Sequence, residues 1–177
     1  MDASGQTPGD KPEFTIKRIF NAPRDLVFLV WTRPQYVSQW WGVEGCTIVC
    51  CELDVRSGGS FTINMRTADG TIYKNRGIYT DVRVNERIEY RDERDAGAAP
   101  GPIPLGRHVV TFQDADGKTL VTLTSIFQSV QDRDLMVRFG VLEGIRQSLD
   151  RLERLLQNHI NDQSSYVRKD NENDTVS

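Results

Sequence analysis

The chain is poor in the side chains that most reactive centres require. It holds two histidines, His108 and His159, and neither recurs at a spacing that would let it share a metal ion with other ligands. No metal and no other cofactor is expected. Its three cysteines, Cys46, Cys50 and Cys51, are odd in number and clustered, which is not the spread pattern of a disulfide framework. If residues 46–55 form a strand, Cys46 and Cys50 share a face but stand about 13 Å apart along it, beyond the roughly 7 Å reach of a bridge between Cα atoms. Cys50 and Cys51 then face opposite ways, so three reduced structural thiols are expected. No GxSxG elbow is present, Cys50 has no evident basic neighbour to activate it, and no catalytic residue can be assigned.

Long hydrophobic runs are also missing. No stretch approaches the roughly 20 apolar residues that cross a bilayer, and MDASGQTPGDKPEF at the start has neither a basic n-region nor an apolar h-region. The expectation is a cytoplasmic protein with no membrane insertion. A net charge of -3 gives no electrostatic footprint for nucleic acid. A length of 177 residues with 38% hydrophobic and 27% charged content fits one ordinary globular domain.

The ends of the chain read differently from the middle. Residues 1–12 and 159–177 are polar and carry too little apolar surface to order themselves, so both read as disordered tails around a single domain at 13–158. Residues 14–20 (FTIKRIF) alternate as a strand does. Pro23 and Pro34 then open two short helices, the first with Leu26, Val27, Val30 and Trp31 on one face, the second with Tyr36, Val37, Trp40 and Trp41 before Gly42. From residue 46 to 127 the period becomes two. Turn signals at Ser57-Gly58-Gly59, Asp69-Gly70, Asn85-Glu86, residues 95–106 and Asp116-Gly117 divide this stretch into six strands. Phe61, Ile63 and Met65 oppose Ser60, Thr62, Asn64 and Arg66, which gives one covered face and one wet face. From about Gln131 to Asn158, Leu135, Phe139, Leu142, Ile145, Leu149, Leu152 and Leu156 recur at helical spacing. A curved antiparallel sheet gripping one long helix buries both surfaces economically. Gly140 and Gly144 fall on one stripe of that helix, where they either admit a close neighbour or leave space for a ligand.

In the right order, the segments NAPRDLVFLVWTRPQYVSQWWG, CELDVRSGGSFTINMR, YKNRGIYTDVRVNERIEY and FGVLEGIRQSLDRLE resemble the START-like (SRPBCC, birch-pollen-allergen-like) superfamily. Within it they are similar to the homologues of the C-terminal domain of the activator of the ninety-kilodalton heat-shock-protein ATPase, over about residues 13–157. The resemblance implies an α+β helix-grip fold: a seven-stranded antiparallel sheet curved around a long C-terminal helix, two short helices between strands 1 and 2, and a largely apolar cavity between sheet and helix. It also implies binding of lipids, sterols, polyketides or other hydrophobic compounds, with catalysis in some relatives such as polyketide cyclases. Related sequences often carry Trp where this chain has Ile145, which reshapes the cavity here.

Candidate walls for such a cavity are Trp31, Trp40, Trp41, Phe61, Ile63, Met65, Tyr73, Tyr79, Phe139, Leu142 and Ile145, since aromatic and aliphatic surfaces hold flat apolar ligands. Each is equally a normal core residue. His108 shares a strand face with Val110 and Phe112 and reads as structural. Glu143, Asp54 and Arg56 are the remaining groups for acid–base work, and Arg56 has Asp54 as a natural partner. Asn75 and Arg76 lie on opposite strand faces, so one of them points inward. Gly58-Gly59 precedes a strand rather than a helix, so it forms a hairpin and not a phosphate cradle.

The leading expectation is therefore a module that binds a hydrophobic or aromatic small molecule without a catalytic site. A cavity enzyme of the cyclase or hydrolase type is the second reading. Co-chaperone stimulation of the heat-shock ATPase is the third, and residues 1–12 are too short for the additional N-terminal domain of the eukaryotic activator. A homodimer would use an exposed sheet edge or the outside of the long helix, and no residue selects between them.

Overall fold

A computed structural model describes residues 10–94 and 103–173, with side chains described as far as residue 160. The elements run β1 (Glu13–Phe20), α1 (Arg24–Thr32), α2 (Pro34–Trp40), β2 (Thr47–Leu53), β3 (Ser60–Arg66), β4 (Ile72–Arg83), β5 (Arg87–Asp92), β6 (Arg107–Ala115), β7 (Lys118–Ile126), α3 (Val130–Arg138) and α4 (Val141–Asn173). The seven strands form one antiparallel sheet in the order β1-β7-β6-β5-β4-β3-β2. Strands β2 to β7 therefore follow one another as a meander, and β1 returns beside β7. The seven-stranded sheet, the two short helices after β1 and the long C-terminal helix are those of the expected helix-grip fold. The segment 95–102, within the anticipated long loop, lies outside the described residues.

Turn residues set this sheet. Asp116 and Gly117 both have positive φ, 55° and 77°, the two-residue geometry that matches the twist of the strands it joins. Alternation then selects the inner face: Thr119, Val121, Leu123 and Ser125 of β7 are buried, as are Phe14, Ile16 and Phe20 of β1. Arg18 shares that inner face of β1 and emerges at the sheet edge, where it pairs with Asp150 at 2.7 Å and with Glu153 of α4.

The sequence reading of residues 46–55 as one regular strand is corrected. Cys46 precedes β2, and the register with β3 jumps from Ile48↔Met65 to Cys50↔Asn64. Val49 is the extra residue of a bulge, which displaces the alternation by one position. Ile48, Cys51 and Leu53 consequently pack on the core. The three thiols are free, and burial, with Cys50 alongside, pushes the Cys51 thiol upward.

The helix expected over Gln131–Asn158 is broken. Ser129 caps α3 by accepting from the Asp132 amide at 3.1 Å. Phe139 closes that helix and Gly140 takes φ +83°, the left-handed conformation that ends helices and suits glycine. The chain then restarts as α4. Gly144 does something different: a Cβ there would stand 3.1 Å from Val43 Cγ1, so its smallness admits the segment after α2. The paired-stripe reading gives way to one helix stop and one close approach. Leu149, Leu152 and Leu156 of α4 are buried, each stabilising the fold by about 1.5–3 kcal/mol through loss of water contact. Helical backbone continues past residue 158 to Asn173, through part of the segment whose composition reads as a tail.

Candidate ligand pocket and outer cleft

Two hollows share one wall residue at the C-terminal end of α2: the inner lies between α1, α2 and the sheet, the outer between α2, the start of β2 and α4. The inner one is an apolar pocket of about 30 Å³ lined by Trp31, Val37, Trp41, Leu53, Phe61, Ile63, Tyr79, Ile88 and Tyr90. The outer one is a cleft of about 330 Å³ lined by Ser38, Gln39, Trp41, Glu44, Gly45, Cys46, Ile48, Gln147, Asp150, Arg151 and Arg154. Trp41 belongs to both.

The inner pocket is built by local rules. Phe61 and Ile63 point inward because β3 alternates, and both are buried. Tyr79 is fixed through its backbone by the Ser57-Gly58-Gly59 turn, since the Gly58 amide donates to Tyr79 O at 2.8 Å and the Tyr79 amide donates to Gly59 O at 2.9 Å. A side chain at Gly59 would collide with the Asp54 carbonyl at 2.0 Å, so this turn needs glycine there. Tyr90 arrives from β5 and completes a ring cluster, with Phe61–Tyr90, Phe61–Tyr79 and Tyr79–Tyr90 centroids at 5.3, 5.5 and 6.3 Å. Such tilted and edge-on pairs contribute about 0.5–1.5 kcal/mol each beyond their burial. They also leave little room, because 30 Å³ is the space of roughly one water molecule. Burial drives both tyrosine phenols well above their usual range, helped at Tyr79 by Cys51 and Asp54 and at Tyr90 by Asp92 and Tyr79.

Of the residues proposed from sequence, Trp31, Trp41, Phe61, Ile63 and Tyr79 come together in this lining. Trp40 stands behind them as core, its indole N–H donating to Val30 O at 3.1 Å. Leu142 and Ile145 pack half-buried against the core outside the pocket lining, and Met65 is half-buried in β3, also outside that lining. Tyr73 is 42% exposed and Phe139 57% exposed, the latter because it sits where the helix breaks. Val37, Leu53, Ile88 and Tyr90 were not proposed. Ile88 and Tyr90 alternate with charged residues in RIEYRD, a signal that was available in the sequence, whereas Leu53 faces inward only because of the bulge at Val49.

The remaining polar groups form structural networks. Asp54 pairs with Arg56 at 2.9 Å, and Asn75, which lies on the inner face with Tyr79, donates to Ile63 O at 3.0 Å. His108 bonds Ser125 Oγ through Nδ1 at 2.8 Å and Asp92 Oδ2 through Nε2 at 3.0 Å. Hydroxyl, imidazole and carboxylate thus stand in the order of a hydrolase triad, with the ring nitrogens exchanged. Ser125, however, is only 1% exposed and offers no open face to a substrate. The three side chains instead join β5, β6 and β7 near the base of the segment 95–102, where Asp92 also accepts from the Gly106 amide at 2.9 Å. Among the described residues, no group of histidine, cysteine, aspartate and glutamate is arranged to hold a metal ion, and no helix is long and apolar enough to cross a membrane.

The curved seven-stranded sheet with its long C-terminal helix is a helix-grip domain of the ligand-binding type, and its apolar pocket lies between the sheet and the two short helices. The chain belongs to the family described as activator of Hsp90 ATPase homolog 1-like protein, whose model matches residues 21–157. Comparison with curated proteins gives no match. Among solved structures, a protein from Arthrobacter aurescens is similar at TM-score 0.78 and 23% identity, covering 88% of this chain and 91% of its own. A protein from Staphylococcus epidermidis is similar at TM-score 0.74 and 25% identity, with 86% and 93% covered. The AHSA1 protein of Silicibacter pomeroyi is similar at TM-score 0.66 and 20% identity, with 83% and 99% covered.

Proposed function

We propose that the protein is a binding module for a hydrophobic or aromatic small molecule, held between the sheet and the two short helices without chemical conversion. The observation carrying this reading is the convergence of Trp31, Trp41, Phe61, Ile63, Tyr79 and Tyr90 on one apolar hollow, walled by the sheet on one side and the two short helices on the other. Its small volume requires ring displacement on binding, as expected where a ligand selects a more open arrangement of the same walls. A catalytic reading gains little, because the lining contains two tyrosines but no carboxylate, histidine or lysine. A cytoplasmic location accompanies the proposal and is supported by the three unpaired thiols.

Native mass spectrometry of freshly purified protein, followed by denaturing extraction, tests this. A retained apolar compound of one or a few species is expected. An empty protein that also shows no thermal shift with lipids and aromatic metabolites would contradict it.

A further inference from the structure

The outer cleft differs in chemistry from the inner pocket, and Trp41 lines both. Trp41 is half-buried, and its side chain makes no hydrogen bond, in contrast to Trp40. Its backbone surroundings are fixed: Ser148 Oγ donates to Gly42 O at 2.9 Å, Arg151 Nε donates to Trp40 O at 3.1 Å, and a second Arg151 nitrogen donates to Gly42 O. Gln147 holds the same segment by accepting from the Glu44 amide at 2.8 Å. With the backbone clamped and the indole free of hydrogen bonds, a rotamer change of Trp41 would leave the hydrogen bonds of this segment in place.

The charges of the cleft are Glu44, Asp150, Arg151 and Arg154. Asp150 is neutralised by Arg18 at 2.7 Å. Among the described residues, Arg151 donates only to carbonyl oxygens, and Arg154 makes one hydrogen bond, from Nε to Asp150 O at 3.3 Å. Among the described residues, these two guanidinium groups have no carboxylate partner, and the one other carboxylate in the lining without an ion pair is that of exposed Glu44. Arg154 is the group whose planar N–H donors remain open to a carboxylate from outside.

We infer that the ligand is an anionic amphiphile: its carboxylate sits in the outer cleft against Arg154, and its apolar part passes the displaced Trp41 into the pocket of Phe61, Ile63 and Tyr79. This inference rests on the proposed binding function and adds the class of ligand and its direction of entry.

Titration calorimetry with octanoate and with 1-octanol separates the two ideas. Octanoate is expected to bind about 5- to 10-fold more tightly than octanol at low salt, the size of a partly exposed charge-assisted contact, and added salt should shrink that margin. Arg154→Gln should abolish the margin and leave octanol binding unchanged. Trp41→Ala should strengthen both by removing the side chain that lines both hollows, with circular dichroism confirming its fold. Equal binding of both compounds, unaffected by Arg154→Gln, would overturn the anionic-head inference while leaving the apolar-pocket reading intact. Failure of both compounds to bind wild type and Trp41→Ala would overturn both.

Discussion

Trp40→Ala is expected to destabilise the protein by about 3–5 kcal/mol, the cost of truncating a large buried aromatic and leaving its cavity. Trp40 is 2% exposed and lies between Trp31 and Trp41, with ring centroids at 4.8 and 5.6 Å. It also repairs a backbone defect. The helical partner for the Val30 carbonyl would be the amide of residue 34, but that residue is Pro34, which has none. The Trp40 indole supplies the missing donor at 3.1 Å. Trp40→Phe, which keeps a ring and loses the N–H, should therefore still cost about 1–3 kcal/mol for the orphaned carbonyl. Against a total stability of about 5–15 kcal/mol for a typical domain, the alanine change should move a urea midpoint far enough to leave a partly unfolded population. A loss below about 1 kcal/mol in both variants would show that Trp40 does not hold the two helices together.

Tyr79 and Tyr90 make a second large effect, visible only at alkaline pH. Burial is the main cause that raises both phenols above their ordinary value of 10.0 in the folded chain. Above that pH the unfolded chain loses these protons while the folded chain keeps them, so the unfolded state binds fewer protons and stability falls as pH rises. The slope is about 1.4 kcal/mol per pH unit for each tyrosine. Denaturant midpoints should hold steady below the ordinary tyrosine range and drop steeply above it. Replacing both residues by phenylalanine should flatten the drop even though the starting stability also changes. Ultraviolet titration of the folded protein gives an independent reading: tyrosinate absorbance from these two rings should appear only with unfolding. Normal ionisation of both in the folded state would refute their burial in a closed pocket.

The parts of this fold that were legible in the sequence are those set by short-range chemistry. Pro34 starts a helix because its missing amide suits that position, Asp116-Gly117 turns a hairpin, and the alternation of Phe61 and Ile63 gives the inner face of β3. Gly140 was visible but misread, because a glycine at helical spacing looks the same whether it is tolerated inside a helix or ends one. Only its φ of +83° separates the two. The bulge at Val49 left no local signature, and it decides that Leu53 faces the pocket. Tyr90 was legible through its alternation in RIEYRD, and the Asn85-Glu86 turn sets β5 beside β4, but its ring contacts with Phe61 and Tyr79 come from packing across three strands. How full the pocket is was the least legible feature. It depends on three rings from separate strands filling the same volume.

The central claim is that this filled pocket opens to an apolar ligand. Methyl NMR with naphthalene as the probe tests it most directly, since Val37, Leu53 and Ile63 place methyl groups on the pocket wall. Intermolecular NOEs from naphthalene to the Ile63 and Leu53 methyls, with ring-current shifts at Val37, are the expected result. Saturating naphthalene that gives no such NOEs, or perturbs only methyls far from this wall, would mean that Phe61, Tyr79 and Tyr90 form a permanently closed core.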